Sequence, residues 1–278
     1  METAKPNFSS WLVASDIDGT LNNKLRKLPE NNLIAINRFV SLGGKFTLAS
    51  GRNPQSMWRH YKKLPLGSIP AVVMNGAGIY DFEREEMIYF NSLSKKSMRT
   101  VIDVAHEFST IDALIFTKDT VYITGVGVWG WFYINVDRLN HKFVRDIDDV
   151  PRKDWGKVIF CGPPWRVRKV RERLNKVAFV TFDRVDSSIA SVEILAEGTN
   201  KGTAIEKLAD MMGVDMDHTC GIGDYYNDYE MLETVGVSGC CGQAPRKIKS
   251  VSEFVACHCN RGAVADFLDY IEKNKIEE

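Results

Sequence analysis

The first eighty residues alternate two kinds of apolar pattern, and this alternation restricts the fold more than any other feature of the chain. "SWLVASD" (10–16) is a short, nearly continuous apolar run of the kind that forms a strand buried on both faces. "PENNLIAINRFVSLGG" (29–44) places Leu33, Ile34, Ile36, Phe39, Val40 and Leu42 at roughly helical spacing, with Pro29 at the start and Gly43-Gly44 at the stop. "KFTLAS" reads as a second strand, "PQSMWRHYKKL" as a second helix and "PAVVMNG" as a third strand. Strand, helix, strand, helix, strand requires parallel pairing through right-handed crossovers.

The rhythm breaks in the middle of the chain. "AGIYDFEREEMIYFN" reads as two short strands around a charged turn. "SKKSMRTVIDVAHEF" reads as a helix, and "DALIFTKDTVYITG" as a strand pair turning at Lys118-Asp119. "KVIFCGP" is a further strand, "PWRVRKVRERLNKV" a helix, and residues 178–198 are rich in β-formers. From "NKGTAIEKLADMMG" onward the α/β alternation returns and closes with the helix "GAVADFLDYIEK". The expectation is a doubly wound, Rossmann-like parallel-sheet domain formed by 1–80 and 192–278, interrupted by an inserted α+β domain over 81–191.

Asp16 and Asp18 stand where the first apolar run meets Gly19-Thr20. In an open parallel sheet, ligands bind at the carboxyl ends of the strands. Two carboxylates there repel each other, and a hard cation such as Mg²⁺, which takes oxygen ligands, offsets the repulsion. Ser50 ends the second strand with a hydroxyl suited to a phosphate oxygen. Lys201 sits at a helix start, where its ammonium and the positive helix end both favour an anion. Asp224, Asn227 and Asp228 add oxygens where another strand gives way to a helix. Each residue alone is an ordinary capping or surface residue; the ordered set carries the reading.

With "DIDGT", "SGR", "NKG" and "GDYYND" in this order, the sequence resembles the haloacid-dehalogenase-like (HAD) superfamily, in particular the Cof-like phosphatases with a type IIB cap. The resemblance spans nearly the whole chain, because the insert lies between the second and third motifs, where that cap belongs. It implies a Mg²⁺-dependent phosphatase of small phosphorylated metabolites, sugar phosphates or phosphorylated cofactors, working through an aspartyl-phosphate. Asp16 would be the nucleophile and Asp18 the general acid and base. The metal would be held by Asp16, the backbone carbonyl of Asp18 and Asp224, with Asp228 supporting it. Ser50 and Lys201 would bind phosphoryl oxygens, and Thr20, Gly51, Arg52, Asn75 and Asn227 match positions near phosphate or substrate. A phosphomutase of the phosphomannomutase type and a catalytically idle metabolite-binding member share the same motifs.

Two features depart from the family pattern. Ser15 is polar where an apolar residue is usual, and local hydrogen bonding is expected of it. Tyr225 and Tyr226 are bulky within the acidic loop and are read as packing residues. The aromatic stretch "VGVWGWFYIN" (126–135) is read as cap core or interface, with stacking on a flat leaving group as the functional alternative.

Composition closes off other classes. The chain of 278 residues carries 36 basic and 36 acidic side chains, so net charge offers no argument for nucleic acid or a membrane surface. The basic run 166–173 reads as a solvated helix face. No segment reads as a signal peptide or a membrane span, so a cytoplasmic location is expected. Six cysteines without a secretion signal do not make a disulfide scaffold, and "CHC" (257–259) lacks the second ligand pair of a soft-metal site.

Overall fold

The computed structural model describes residues 7–125, 127–137, 139–177 and 182–276. Val126 of the aromatic stretch and residues 178–181 of the β-rich segment lie outside the described residues. In chain order the strands are β1 (Leu12–Ser15), β2 (Lys45–Leu48), β3 (Ala71–Val73), β4 (Gly78–Asp81), β5 (Glu86–Phe90), β6 (Asp112–Thr117), β7 (Val121–Thr124), β8 (His141–Val144), β9 (Trp155–Cys161), β10 (Phe182–Ser188), β11 (Ser191–Ala196), β12 (Thr219–Gly223), β13 (Val237–Cys240) and β14 (Phe254–Val255). The helices are α1 (Glu30–Ser41), α2 (Pro54–Tyr61), α3 (Lys95–Glu107), α4 (Val128–Asp137), α5 (Pro164–Asn175), α6 (Lys201–Met211), α7 (Tyr229–Thr234), α8 (Arg246–Lys249) and α9 (Ala263–Asn274).

The chain divides into two compact units. One comprises residues up to Gly51, Met57–Glu86 and Asn200 onward; the other comprises Arg52–Ser56 and Met87–Thr199.

The first unit is built on a parallel sheet ordered β14–β13–β12–β1–β2, and a parallel bridge from Ala49 to Val72 continues it to β3. The register sets Leu12 opposite Thr219 and Lys45, and Ser15 opposite Ile222 and Leu48. All residues of β1 and β12 are buried, as expected of central strands covered on both faces. Helix α1 packs with α9 and α6 with α7. Ile36 and Phe39 turn into the core from α1, whereas Ile34 is 62% exposed. In its place Asn32 is fully buried: its amide donates to the Leu21 carbonyl (2.9 Å) and accepts from Ala265 N (2.9 Å). A polar side chain survives burial there because both its donor and its acceptor are engaged. It ties the loop after β1 to the start of α9. The architecture is α/β with a doubly wound parallel sheet.

The second unit holds a sheet ordered β10–β11–β9–β6–β7–β8, antiparallel except for the β7–β8 pair. Alternate residues of β6, β9 and β11, such as Ile115, Val158, Phe160 and Ile194, join Val101, Val104, Val167 and Val170 from α3 and α5 in one apolar cluster. Residues 128–137 form α4, and Trp131 and Phe132 on it are 63% and 52% exposed, so they are not core residues of the second unit. The start of α4 is set from a distance: the buried Asp112 carboxylate accepts from Gly127 N (3.1 Å) and Gly130 N (2.9 Å). The Cys side chains, described for all six, are free thiols.

Candidate active site

Strand β1 ends at Ser15, so the alternation of an extended chain stops before the aspartate pair. Asp16 is buried and Asp18 is exposed. A turn replaces the strand, closed by Leu21 N to Asp16 O (3.2 Å) and Asn22 N to Ile17 O (2.8 Å). Gly19 adopts φ of +90°, and a Cβ there would stand 2.5 Å from Asp224 Oδ2. Only glycine lets the chain turn this tightly against the acidic group. Ser15 does bond locally, its hydroxyl donating to the Asp16 carbonyl at 2.7 Å.

Lys201 opens α6 behind the N-cap Asn200, whose side chain accepts from Thr203 N at 2.9 Å. Gly76, with φ of +98°, packs so closely on this cap that a Cβ would stand 2.0 Å from the Asn200 carbonyl oxygen. The Lys201 side chain is fully buried, with Nζ 2.6 Å from Asp16 Oδ1 and 2.5 Å from Asp228 Oδ1. Asp228 is itself fully buried; its Oδ2 accepts from the backbone N–H of Asp224 (2.9 Å) and Tyr225 (3.0 Å). Asp224 stands just beyond β12, where its Oδ1 accepts from the Thr20 hydroxyl at 3.0 Å. The structure thus brings together residues from the loops after β1 and β12 and the start of α6.

Ser50 and Asn75 are buried beside one another, with Asn75 N donating to Ser50 O at 3.0 Å. A Cβ on Gly51 would sit 3.0 Å from the Asn75 amide. Asn75 is held at φ 56°, next to Met74 at φ 52°. Two successive non-glycine residues in the left-handed region each cost about 1–2 kcal/mol and mark a backbone fixed by its surroundings. The Asn75 Oδ1 accepts from Asn227 Nδ2 at 3.2 Å. Arg52 is buried and belongs to the second unit. Thr20, expected beside phosphate, spends its hydroxyl proton on Asp224. Tyr225 and Tyr226, expected to be packed, are 42% and 47% exposed and meet edge to face at 4.9 Å.

The electrostatics follow from burial. Burial pushes the Asp16 carboxyl well above the ordinary carboxylate range; Lys201 pulls it down, while Asp228 and Asp224 push it further up. Asp224 is raised to about 6, by burial first and by Asp228 next. Burial alone would lower the Lys201 ammonium, but Asp16 and then Asp228 outweigh it and hold its pKa above the ordinary lysine value. Lys201 bonds two of the three carboxylates, Asp16 and Asp228, so in ionised form these four side chains together carry a net charge of −2. Carboxylate oxygens of Asp16, Asp224 and Asp228 lie within 4.8 Å of one another. This all-oxygen, electron-rich donor set fits a hard divalent cation. The other metal-capable cluster among the described residues is the exposed His106, Asp146 and Asp148.

Gln243, just past β13, escaped sequence reasoning. Its Nε2 donates to the Gly19 carbonyl at 2.6 Å. Its place after a parallel strand's carboxyl end was the available signal.

A doubly wound sheet that gathers such a set at its strand ends places the chain, by its family, among the hydrolases. The chain belongs to the haloacid dehalogenase-like hydrolase family, whose profile matches residues 13–268. Over 262 residues it is 28% identical to the HMP-PP phosphatase of Citrobacter koseri, covering 93% of this chain and 94% of that protein. A haloacid dehalogenase-like hydrolase from Bacteroides thetaiotaomicron superposes with a TM-score of 0.84 at 20% identity, covering 94% of this chain and 99% of that one. A HAD subclass IIB sugar phosphatase superposes at 0.79 and 17% identity, covering 94% and 98%. No helix among the described residues is long and apolar enough to cross a membrane.

Proposed function

We propose that the chain is a Mg²⁺-dependent phosphatase of small phosphorylated metabolites, acting through a phosphoryl group carried on Asp16. The single observation that supports this most is the fully buried Lys201 ammonium between the carboxylates of Asp16 and Asp228. A buried lysine at this point would meet both the nucleophile and an equatorial phosphoryl oxygen.

With Oδ1 engaged by Lys201, attack on phosphorus falls to Asp16 Oδ2. The bond from phosphorus to the leaving oxygen breaks, and Asp18 supplies that oxygen with a proton. In the second half-reaction Asp18 takes a proton from water, the water oxygen bonds to phosphorus, and the Asp16–phosphorus bond breaks to restore the carboxylate. Splitting one displacement into two lowers each barrier. Asp16, the Asp18 carbonyl and Asp224 would hold Mg²⁺, whose positive charge offsets the repulsion between a carboxylate and a phosphate dianion. Asp228 spends one oxygen on Lys201 and the other on two amides, so it acts by positioning Lys201 and the Asp224 backbone. Ser50 and Lys201 would bind phosphoryl oxygens, and Gly51 would leave room for Asn75 and Asn227 beside them. Thr20 would orient Asp224, and Arg52 would contact substrate. The unit built on 87–199 would be the cap that selects the leaving group.

The similar proteins are named for different compounds, HMP-PP in one case and sugar phosphates in another, which supports a substrate class rather than one compound. The test is phosphate release from an aryl phosphate with Mg²⁺. Wild type is expected to turn over and Asp16→Asn to lose activity by at least ~10³-fold; equal release by both would remove Asp16 from the reaction.

A further inference from the structure

One side chain beyond the family motifs links three loops of the first unit at the carboxyl edge of its sheet. Gln243 leaves the end of β13 and reaches the turn after β1. Its Nε2 stands 2.6 Å from Gly19 O and 3.5 Å from Asp224 Oδ2, while its Oε1 accepts from Cys259 N at 3.1 Å. The orientation of the amide is fixed by its partners. A backbone N–H requires the oxygen on one side, and two oxygens require the NH₂ on the other.

We infer that Gln243 is a positioning residue for the divalent-cation site, holding the Asp224 carboxylate and the Gly19 peptide in the arrangement that binds the ion. This rests on the proposed role of Asp224. Asp224 has a neutral donor beside each oxygen, Thr20 on Oδ1 and Gln243 near Oδ2. Neutral donors orient a carboxylate without cancelling its charge, and each oxygen keeps a second lone pair for a cation. The bond to Gly19 O fixes the Gly19–Thr20 peptide, one peptide beyond the Asp18 carbonyl, in the turn where Gly19 meets Asp224. The link to Cys259 N anchors Gln243 to backbone outside the acidic group.

The experiment measures Mg²⁺ binding by the Mg²⁺-dependent rise in Tm, and by Mg²⁺ activation of aryl-phosphate hydrolysis, for wild type, Q243L, Q243N and D224N. Outer partners of metal ligands typically contribute 10–100-fold in metal affinity. Q243L is expected to raise the Mg²⁺ midpoint by at least ~10-fold in both assays, with KM for the ester at saturating Mg²⁺ moving less than about 2-fold. Q243N, which keeps the amide but withdraws it by one methylene, is expected to fall between. A lower Tm with an unmoved Mg²⁺ midpoint in Q243L overturns the inference; where Q243L does not fold, an unmoved midpoint in Q243N overturns it. A D224N protein that binds Mg²⁺ as wild type does would instead overturn the role given to Asp224, a separate result.

Discussion

The Nζ of Lys201 lies 2.6 Å from Asp16 Oδ1, although 185 residues separate the two along the chain. A fully buried ammonium is stable only with its charge matched, and Asp16 and Asp228 supply the match. Lys201→Met leaves those carboxylates without their buried counter-charge. Breaking a buried pair this way costs roughly 3–5 kcal/mol. Urea unfolding of the metal-free protein is expected to show a loss of that order, and phosphate release with Mg²⁺ is expected to fall by at least ~10²-fold.

Gly19→Ala tests the closeness of the turn to the acidic group. The new Cβ would meet Asp224 Oδ2 at 2.5 Å from a backbone at φ +90°. Strain and collision act together, so a stability loss of at least ~1 kcal/mol is expected, with a ~10²-fold fall in kcat/KM from misplacement of Asp224.

The pH dependence of stability has a definite sign. Asp224 is raised to about 6 in the folded protein, above its unfolded value of 3.8. Between those values the folded state binds more protons than the unfolded state, so stability falls as pH rises. The contribution is fully present below the unfolded pKa and is lost as pH rises through about 6. At about 1.4 kcal/mol per unit it amounts to roughly 3 kcal/mol at most. Asp16 is shifted in the same direction. Urea unfolding without metal at about pH 4.5 and pH 7 is expected to show wild type losing stability relative to Asp224→Asn, and Mg²⁺ at pH 7 is expected to restore it.

The anchoring of α4 gives a local prediction in the second unit. Asp112→Ala leaves Gly127 N and Gly130 N without the carboxylate that now accepts from them. Loss of such a cap costs about 1 kcal/mol. Hydrogen exchange at the first turn of α4 is expected to speed up while α3 and α5 keep their protection.

The α/β class was readable because every crossover in the first eighty residues shows in apolar spacing, and local patterning likewise marks β4 and β5 and, in the second unit, α3, β6, β7, β9 and α5. The carboxylates and Lys201 were readable because each follows a strand end or opens a helix. The rest depends on contacts between segments distant in sequence. Helix α4 carries apolar residues on all sides, so no periodicity marks it, and Asp112 fixes its start from another strand. Gln243 resembles any loop glutamine until β13 places it beside β12 and β1. Tyr225 and Tyr226 look like core residues by composition, but the turn through Asp228 leaves them at the surface. Asp16 and Asp18 differ in burial because β1 ends at Ser15, before either of them, and a turn carries the chain on from there.

The most direct test of the account traps the enzyme during turnover. Protein turning over a phosphate ester with Mg²⁺ is quenched in acid and digested, and the peptide containing residue 16 is weighed and fragmented. One phosphoryl group is expected on Asp16, absent when Mg²⁺ or substrate is withheld. A phosphoryl group on another side chain, or steady turnover with none on Asp16, would contradict it.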